Sequence, residues 1–368
     1  MRANTQHLGF GIIGAGAIAR VHAEAILATP GTRLAAVYDS VPERARDFAQ
    51  RYGVDAESDL RCFLARKDVE VVCITTPSGV RADVAVPAAE AGKHLLCEKP
   101  LEVTTARADR IINACKASGV ILACVFQTRM SPDVRRVKAA LESGHFGRLV
   151  MLDAQVPWYR NQAYYDSAAW RGTWALDGGG ALMNQSIHVI DLMLHFAGRP
   201  ETAYAFVGTL THKDIEVEDT AAACVRFCNG ALGTITVSTS CAPGFPRRLE
   251  LAGSRGSAVL ESDRLVRWTF EDDSAGRVQG VAEAATDGSP HEDGARTHDA
   301  IPIQRHQLQI ADLAESIVTG RPPAVPGAEG RRAVEFIGGL YASARSGKPH
   351  VFVSEDALSF QQGNNHAT

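Results

Sequence analysis

Between Phe10 and Phe126 short β-rich runs alternate with longer stretches of helical character, the rhythm of a parallel sheet whose strands are joined by crossover helices. The strand candidates are Phe10–Ile13, Leu34–Tyr38, Val69–Thr75, His94–Cys97 and Val120–Phe126. Ser40, followed by Pro42 and Glu43, reads as a helix start with a capping box, the helix running to Tyr52 before Gly53. Further helices are expected at about Val80–Ala91 and Thr104–Ser118, each closed by a glycine, Gly92 and Gly119, able to take the left-handed conformation.

After Phe126 the rhythm changes. A helix from Pro132 to about Glu142 precedes a strand at Arg148–Val156, an aromatic-rich loop and a helix starting near Gly180. Beyond Thr202 strand follows strand, with Thr220–Cys228 and Ala231–Ser240 joined by the hairpin signal Asn229–Gly230, which favours a mainly antiparallel sheet. Residues 271–300 are polar and predict an exposed loop. Helices at about Gln304–Thr319 and Glu329–Ser346 and a strand at His350–Val353 close the pattern. The fold class expected is α/β, with a doubly wound parallel-sheet domain over 1–127 and an α+β domain over 128–368.

Composition narrows the function. With 368 residues, 45% hydrophobic and 22% charged, the chain has apolar material for two cores. A formal net charge of -4, with no basic run, argues against nucleic acid as a partner. No apolar stretch approaches the roughly 18 residues of a membrane span, so a cytoplasmic location is expected. The eight cysteines are scattered, without the pairing or histidine spacing of a zinc site; they read as reduced core residues, and no metal is expected.

The chemistry begins with Gly14, Gly16 and Ala19, a GxGxxA fingerprint between a strand and a helix, with Asp39 at the end of the next strand. Gly14 permits the tight turn, Gly16 lets backbone approach a pyrophosphate, and Ala19 allows close packing. Ala17 and Ile18 open the helix whose N-terminus faces the phosphates. Asp39 accepts hydrogen bonds from ribose hydroxyls and repels a 2′-phosphate, which favours NAD, while nearby Arg44 keeps NADP open. Thr76 and Pro77, and then Glu98, Lys99 and Pro100, stand at later strand ends, where such sheets present ligand-facing loops. An ammonium such as Lys99 eases formation of an alkoxide as hydride leaves, although a lone lysine at a strand end is as often a surface charge. In Gly178–Gly179–Gly180–Ala181–Leu182–Met183–Asn184–Gln185–Ser186–Ile187–His188, the side chains of Asn184 and His188 project from one face of a predicted helix. The three glycines would let that helix start press close to a ligand. His188 has the range to accept a proton near neutrality and Asn184 hydrogen-bonds without charge, against the plainer reading of a structural histidine. His195 is read as structural.

The GxGxxA start, Glu98–Lys99–Pro100, Trp170–Arg171 and the glycine-rich helix carrying His188 and Asp191 together resemble the Gfo/Idh/MocA family, from Phe10 to about Val353. The resemblance implies hydride exchange between a nicotinamide and a hydroxyl-bearing carbon of a sugar, cyclitol or related polyol. It implies a C-terminal domain with a large open sheet that often joins subunits, hence a homodimer or homotetramer. By the same resemblance Lys99 and His188 are the catalytic pair, and Glu98, Lys99 and Gln127 line the nicotinamide end. Trp170 and Arg171 flank cofactor and substrate, and Asp191 joins Asn184 among the substrate contacts. Where the family often has Asp four residues before the histidine, this chain has Asn184, and Arg81 replaces a family histidine. The cluster Trp158, Tyr159, Arg160, Tyr164 and Tyr165 offers either a stacking platform for sugar rings, with Tyr159 a substrate contact, or an interface patch.

The mechanism expected places a secondary hydroxyl between Lys99 and His188, with His188 taking the proton. Competing readings are a sugar-nucleotide dehydrogenase, a glycosidase-like enzyme that uses NAD transiently, and a non-catalytic cofactor-sensing regulator.

Overall fold

A computed structural model describes residues 7–271, 278–279 and 303–352. Most of the expected 271–300 loop and the expected strand end at Val353 lie outside the described residues.

Six strands, β1 (Leu8–Ile13), β2 (Thr32–Tyr38), β3 (Asp55–Glu57), β4 (Val71–Ile74), β5 (His94–Cys97) and β6 (Leu122–Cys124), form a parallel sheet in the order β3-β2-β1-β4-β5-β6. The order reverses between β1 and β4, and ligands bind at such a switch point because adjoining connections leave on opposite faces. The connecting helices are α1 (Ala17–Ala28), α2 (Pro42–Tyr52), α3 (Leu60–Ala65), α4 (Arg81–Glu90) and α5 (Thr105–Ser118). Helix α5 starts where Thr104 accepts the Arg107 N–H at 3.3 Å and stops at left-handed Gly119. The capping box expected at Ser40 does not form: Val41 is the cap residue, and Asp39 Oδ1 accepts its N–H at 2.8 Å. Asp39 is already fixed by the Ala15 N–H, so it is a better-anchored acceptor than the exposed Ser40, and Glu43 pairs with Arg46 instead.

Helix α6 (Pro132–Glu142) leads to the second sheet. Its strands are β7 (Leu149–Pro157), β8 (Pro200–Gly208), β9 (Thr220–Phe227), β10 (Leu232–Ser238), β11 (Arg248–Gly253), β12 (Gly256–Glu261), β13 (Arg264–Glu271), β14 (Val278–Gln279) and β15 (His350–Val351). They lie in the order β14-β13-β12-β11-β7-β10-β9-β8-β15. Every neighbouring pair is antiparallel except β7 and β10. Between β7 and β8 come the short α7 (Gln162–Asp166), a π-helical turn (Ala181–Gln185) and α8 (Ile187–Ala197), an almost wholly buried helix packed on β7. The other face of the sheet is open: Met151 and Leu232, in register on β7 and β10, and Phe206 on β8 are exposed.

Helices α9 (Gln304–Thr319) and α10 (Gly327–Ser346) carry the chain back to the first sheet. Ile310 and Leu313 of α9 join Phe10, Ala19, Ile26 and Val71 in one buried cluster. The Cys124 N–H donates to the Val325 carbonyl at 3.0 Å, and Gly330 of α10 lies against Cys124 and Leu101 so closely that a Cβ would stand 2.6 Å from the thiol.

Candidate functional site

The β1–α1 turn is built to take a phosphate. Gly14 holds φ +99°, donates to the Tyr38 carbonyl at 2.8 Å and is pressed against Thr76, whose N would lie 3.0 Å from an added Cβ. Gly16, by contrast, looks onto open space. It is the cap residue of α1 and offers no side-chain cap, and the first turn contains no acidic residue to compete with an anion. Ala19 is fully buried, as close packing requires. Asp39 accepts from the Ala15 N–H at 2.7 Å and the Val41 N–H at 2.8 Å, one on each oxygen, so it fixes the turn while keeping acceptor capacity for ribose hydroxyls. Thr76 and Pro77 line the neighbouring strand end, Thr75 tying that loop to the Gly14 carbonyl at 2.6 Å. The open space at Gly16, the uncapped helix start and the acid fit a dinucleotide.

At the end of β5, Lys99 projects to the second half of the chain, its Nζ donating to the Asn184 carbonyl at 2.9 Å. Burial pushes the ammonium pKa down and Glu98 pulls it back, but Arg81 and Arg171 help keep it lowered. The sequence led us to expect the Asn184 amide, one face of a continuous helix with His188, to meet the ligand. The structure replaces that helix start by the π-helical turn, closed by the Ser186 N–H on the Ala181 carbonyl at 2.9 Å. The Asn184 carbonyl thereby faces Lys99, and its amide donates to Asp177. Asp177, missed in the sequence, is buried and also accepts the Gly172 N–H at 3.0 Å; burial holds its carboxyl above the usual range.

His188 is buried on α8, edge-on to Phe126 with ring centres 5.8 Å apart, and its Nδ1 has no partner among the described residues. Burial, reinforced by Lys99 and Arg247, holds the imidazole well below its ordinary range, so it is neutral at physiological pH. Gln127 also keeps a buried amide oxygen without a partner among the described residues, an acceptor suited to the amide N–H of a nicotinamide.

Glu98, expected to touch the cofactor, is committed elsewhere. One oxygen is 2.9 Å from His22 Nε2 on α1 and the other accepts the Lys99 N–H at 3.0 Å. Burial works against the charge, but His22, His306 and Lys99 hold the carboxyl well below the usual range. Glu98 therefore orients the Lys99 backbone. His22, Glu98 and His306 of α9 bring one donor atom each within 4.8 Å of one another, the nearest approach to a metal-ligand set among the described residues, and two of them are joined directly by the hydrogen bond. Arg81 is likewise a strut, its guanidinium donating to the Pro100 carbonyl and, at 3.2 Å, to the Thr76 carbonyl.

Asp191 is a further correction. Its carboxylate is buried against Arg129 in a two-pronged pair at 2.8 and 2.6 Å, and Arg129 also reaches Glu329 of α10 at 2.7 Å. Asp191 is 1% exposed and an uncompensated charge there would cost several kcal/mol, so its carboxylate serves the ion pair that ties α8 through Arg129 to α10. The three glycines serve packing more than ligand approach: a Cβ on Gly178 would strike Val103, on Gly179 the Tyr341 hydroxyl, and on Gly180 the Glu218 carbonyl at 1.8 Å. Buried Glu218 caps the turn by accepting from the Gly180 and Leu182 N–H groups at 3.1 and 2.8 Å.

Arg171 lies over the rings of Tyr164 and Trp170, 4.2 and 4.7 Å from their centres, and donates to the Tyr164 hydroxyl at 2.6 Å. Tyr165 is buried and bonded to Thr239, whereas Tyr159 is 41% exposed.

Fold and site together define a nicotinamide-dependent oxidoreductase. Residues 8–126 match an oxidoreductase family with an NAD-binding Rossmann fold, and residues 134–259 match the GFO/IDH/MocA C-terminal domain. The chain belongs to the Gfo/Idh/MocA family of NAD-binding oxidoreductases. It is 28% identical over 307 residues to levoglucosan dehydrogenase of Pseudarthrobacter phenanthrenivorans, covering 74% of this chain and 78% of that protein. It is 26% identical over 333 residues to myo-inositol 2-dehydrogenase of Thermotoga maritima, covering 88% and 92%. Among solved structures, the WlbA dehydrogenase of Bordetella pertussis in complex with NADH and UDP-GlcNAcA superposes with a TM-score of 0.82 at 30% identity, over 95% of this chain and 99% of that one.

Proposed function

We propose that this enzyme oxidises a secondary hydroxyl of a sugar, glycoside or cyclitol with NAD, using Lys99 and His188. The observation that carries the reading is the pairing of a buried, neutral imidazole with an ammonium held on the Asn184 carbonyl at 2.9 Å, both below their ordinary pKa. NAD, when bound, supplies the hydride acceptor. Gly14, Gly16, Ala17 and Ile18 hold its pyrophosphate, Asp39 its ribose, Thr76 and Pro77 the neighbouring wall, and Gln127 its carboxamide; Trp170 and Arg171 close the far side. His188 takes the hydroxyl proton and Lys99 steadies the developing alkoxide, so that the alcohol becomes a ketone as its C–H electron pair leaves as hydride. Asn184 holds Lys99 in place through its carbonyl, and exposed Tyr159 contributes to the mouth of the cleft. In this reading residues 1–127 carry the cofactor, and 128–368 supply the substrate wall and the subunit contacts.

Relatives named for levoglucosan and inositol support a free polyol ring, and the WlbA complex supports a ring carried on a nucleotide. The exposed apolar positions Met151, Leu232 and Phe206 on one sheet face support a homo-oligomer formed through that face. Eight unpaired cysteines favour a reducing, cytoplasmic setting; no helix among the described residues is long and apolar enough to cross a membrane.

The test is NADH formation across free sugars, glycosides, cyclitols and sugar nucleotides with wild type and Lys99→Met. Turnover should fall about 10²–10⁴-fold in the variant while NADH binding persists. Turnover untouched by Lys99→Met would overturn the assignment.

A further inference from the structure

Asp177 stands where three parts of the molecule meet. The segment that carries it leans on the first half of the chain: the Gly79 N–H, between β4 and α4, donates to the Leu176 carbonyl at 3.0 Å, and a Cβ on Gly79 would lie 1.9 Å from the Ala175 carbonyl oxygen. The segment closes on itself through the Asp177 and Gly178 N–H groups, which both donate to the Thr173 carbonyl, at 3.1 and 3.2 Å. Asp177 Oδ2 then accepts the Gly172 N–H at 3.0 Å, and Oδ1 accepts the Asn184 amide in the π-helical turn. The backbone oxygen of that same Asn184 receives Lys99 Nζ at 2.9 Å.

The direction of these bonds follows from what each group can do. A guanidinium only donates, so Arg160 Nε, at 3.3 Å, obliges the Gln185 side-chain oxygen to accept. The Gln185 NH2 is thereby left to donate, to the Tyr164 hydroxyl at 2.8 Å and to the Asn184 amide oxygen at 3.2 Å. The Asn184 NH2 in turn faces Asp177, and the Gly172 N–H can only donate to the other oxygen. Both oxygens of Asp177 are therefore acceptors, as an ionised carboxylate requires, and the series of bonds ends there. An amide at this position would offer one acceptor to two donors. The charge also reaches Lys99: burial disfavours the ammonium most, Glu98 and Asp177 favour it, and Arg81 and Arg171 oppose it.

We infer that Asp177 is a positioning residue for the reaction: anchored on the Gly172 N–H, its ionised carboxylate locks the π-helical turn so that the Asn184 carbonyl presents to Lys99. This rests on the dehydrogenase reading for the role of Lys99, but the lock itself does not depend on turnover. A reacting group displaced by a fraction of its own length loses much of its rate, so a residue that touches neither substrate nor cofactor governs kcat through the place of the one that does.

The experiment compares wild type, Asp177→Asn, Asn184→Asp and the exchange that carries both substitutions. In the exchange the partners trade places and each bond is remade: the new amide accepts from the Gly172 N–H and donates to the new carboxylate, which also accepts from Gln185. Asp177→Asn should lower kcat about 10²-fold with NADH affinity unchanged, and should move the alkaline limb of the kcat profile to lower pH, because the ammonium loses a favourable charge. Asn184→Asp sets two carboxylates face to face and should also lower kcat, and the exchange should recover most of the rate and the position of the limb. If Asp177→Asn does not fold, recovery on passing from Asn184→Asp to the exchange carries the test. The titration of Lys99 is followed without turnover from the pH dependence of its acetylation by acetic anhydride, read by peptide mass spectrometry. Wild-type kcat and pH profile in Asp177→Asn, or a loss that the exchange does not recover, overturns the proposal. So does a loss of kcat matched by a loss of NADH binding with the limb unmoved, the mark of a merely structural role. Wild type silent on every sugar and cyclitol, with an acetylation midpoint that still falls in Asp177→Asn, would remove the dehydrogenase reading and leave the lock standing; turnover with kcat and midpoint both unmoved in that variant would do the reverse.

Discussion

His188 shows how little of a residue's chemistry resides in its type. An exposed imidazole titrates near 6.5, but burial, Lys99 and Arg247 move this one well lower, so it remains a proton acceptor in mildly acidic solution. The acid limb of kcat/KM should accordingly lie below pH 6.5, and His188→Asn should remove that limb and reduce kcat about 10²–10⁴-fold. A limb at or above 6.5 in the wild-type profile would contradict this assignment. Lys99 and His188 stood out as candidates in the sequence because a strand-end lysine and a histidine behind a glycine run are local signals. The roles of Asp177, Arg81 and Asp191 were not legible: Asp177 and Arg81 act through turns whose geometry no residue pattern displays, and Asp191 through Arg129, 62 positions away. Asn184 was legible as the missing carboxylate of its motif, but not that its backbone oxygen would hold the lysine. That follows from a π-helical turn whose sequence still satisfies ordinary helical periodicity.

Helix α9 illustrates the same division among elements. Its span, Gln304–Thr319, could be read from periodicity and from Gly320, which takes the left-handed end conformation. Its packing against α1, which buries His306 beside His22 with ring centres 5.5 Å apart, could not. Burial and His22 push the His306 pKa down to about 4, so the unfolded chain binds a proton that the folded chain refuses between pH 6.5 and 4. Stability should be full above 6.5 and fall as pH drops through that window, by on the order of 3 kcal/mol from this residue. His195, pushed down to about 3 by burial beside Arg129 and Lys138, acts in the same sense. Denaturant midpoints at pH 7 and pH 4.5 should therefore differ, and differ less in His306→Gln; an equal difference in the two proteins would refute the linkage. Strand β3 escaped notice because it is three residues at a sheet edge, with no alternation to display. The parallel pairing of β7 with β10 was hidden because a hairpin signal fixes β9 against β10 and says nothing about the strand on the other side.

On the scale of the whole molecule, the open sheet face bears Phe206 at 67% and Leu232 at 56% exposure, with Met151 beside Leu232 in register. Isolated apolar residues are ordinary on a surface, but a shared face on neighbouring strands is what a second copy would cover. Leu232→Glu should shift the particle mass in light scattering toward a single chain while leaving NADH binding intact; an unchanged mass would place the subunit contact elsewhere. The two-part plan was visible in the change of rhythm after Phe126, since strand–helix alternation and strand-after-strand patterning are each local. The return of the chain was not visible. Because α9 supplies Ile310 and Leu313 to the cluster around Phe10, and Val325 and Gly330 seat against Cys124, the first sheet lacks part of its covering until the last fifth of the chain arrives. A ribosome making this protein thus releases the nucleotide-binding sheet with one flank bare, through the synthesis of nearly two hundred further residues, roughly ten to forty seconds at ordinary elongation rates. The fold ties completion of its earliest-made part to its latest, so a prematurely terminated chain emerges with that apolar flank uncovered, in a form quality-control proteases can recognise.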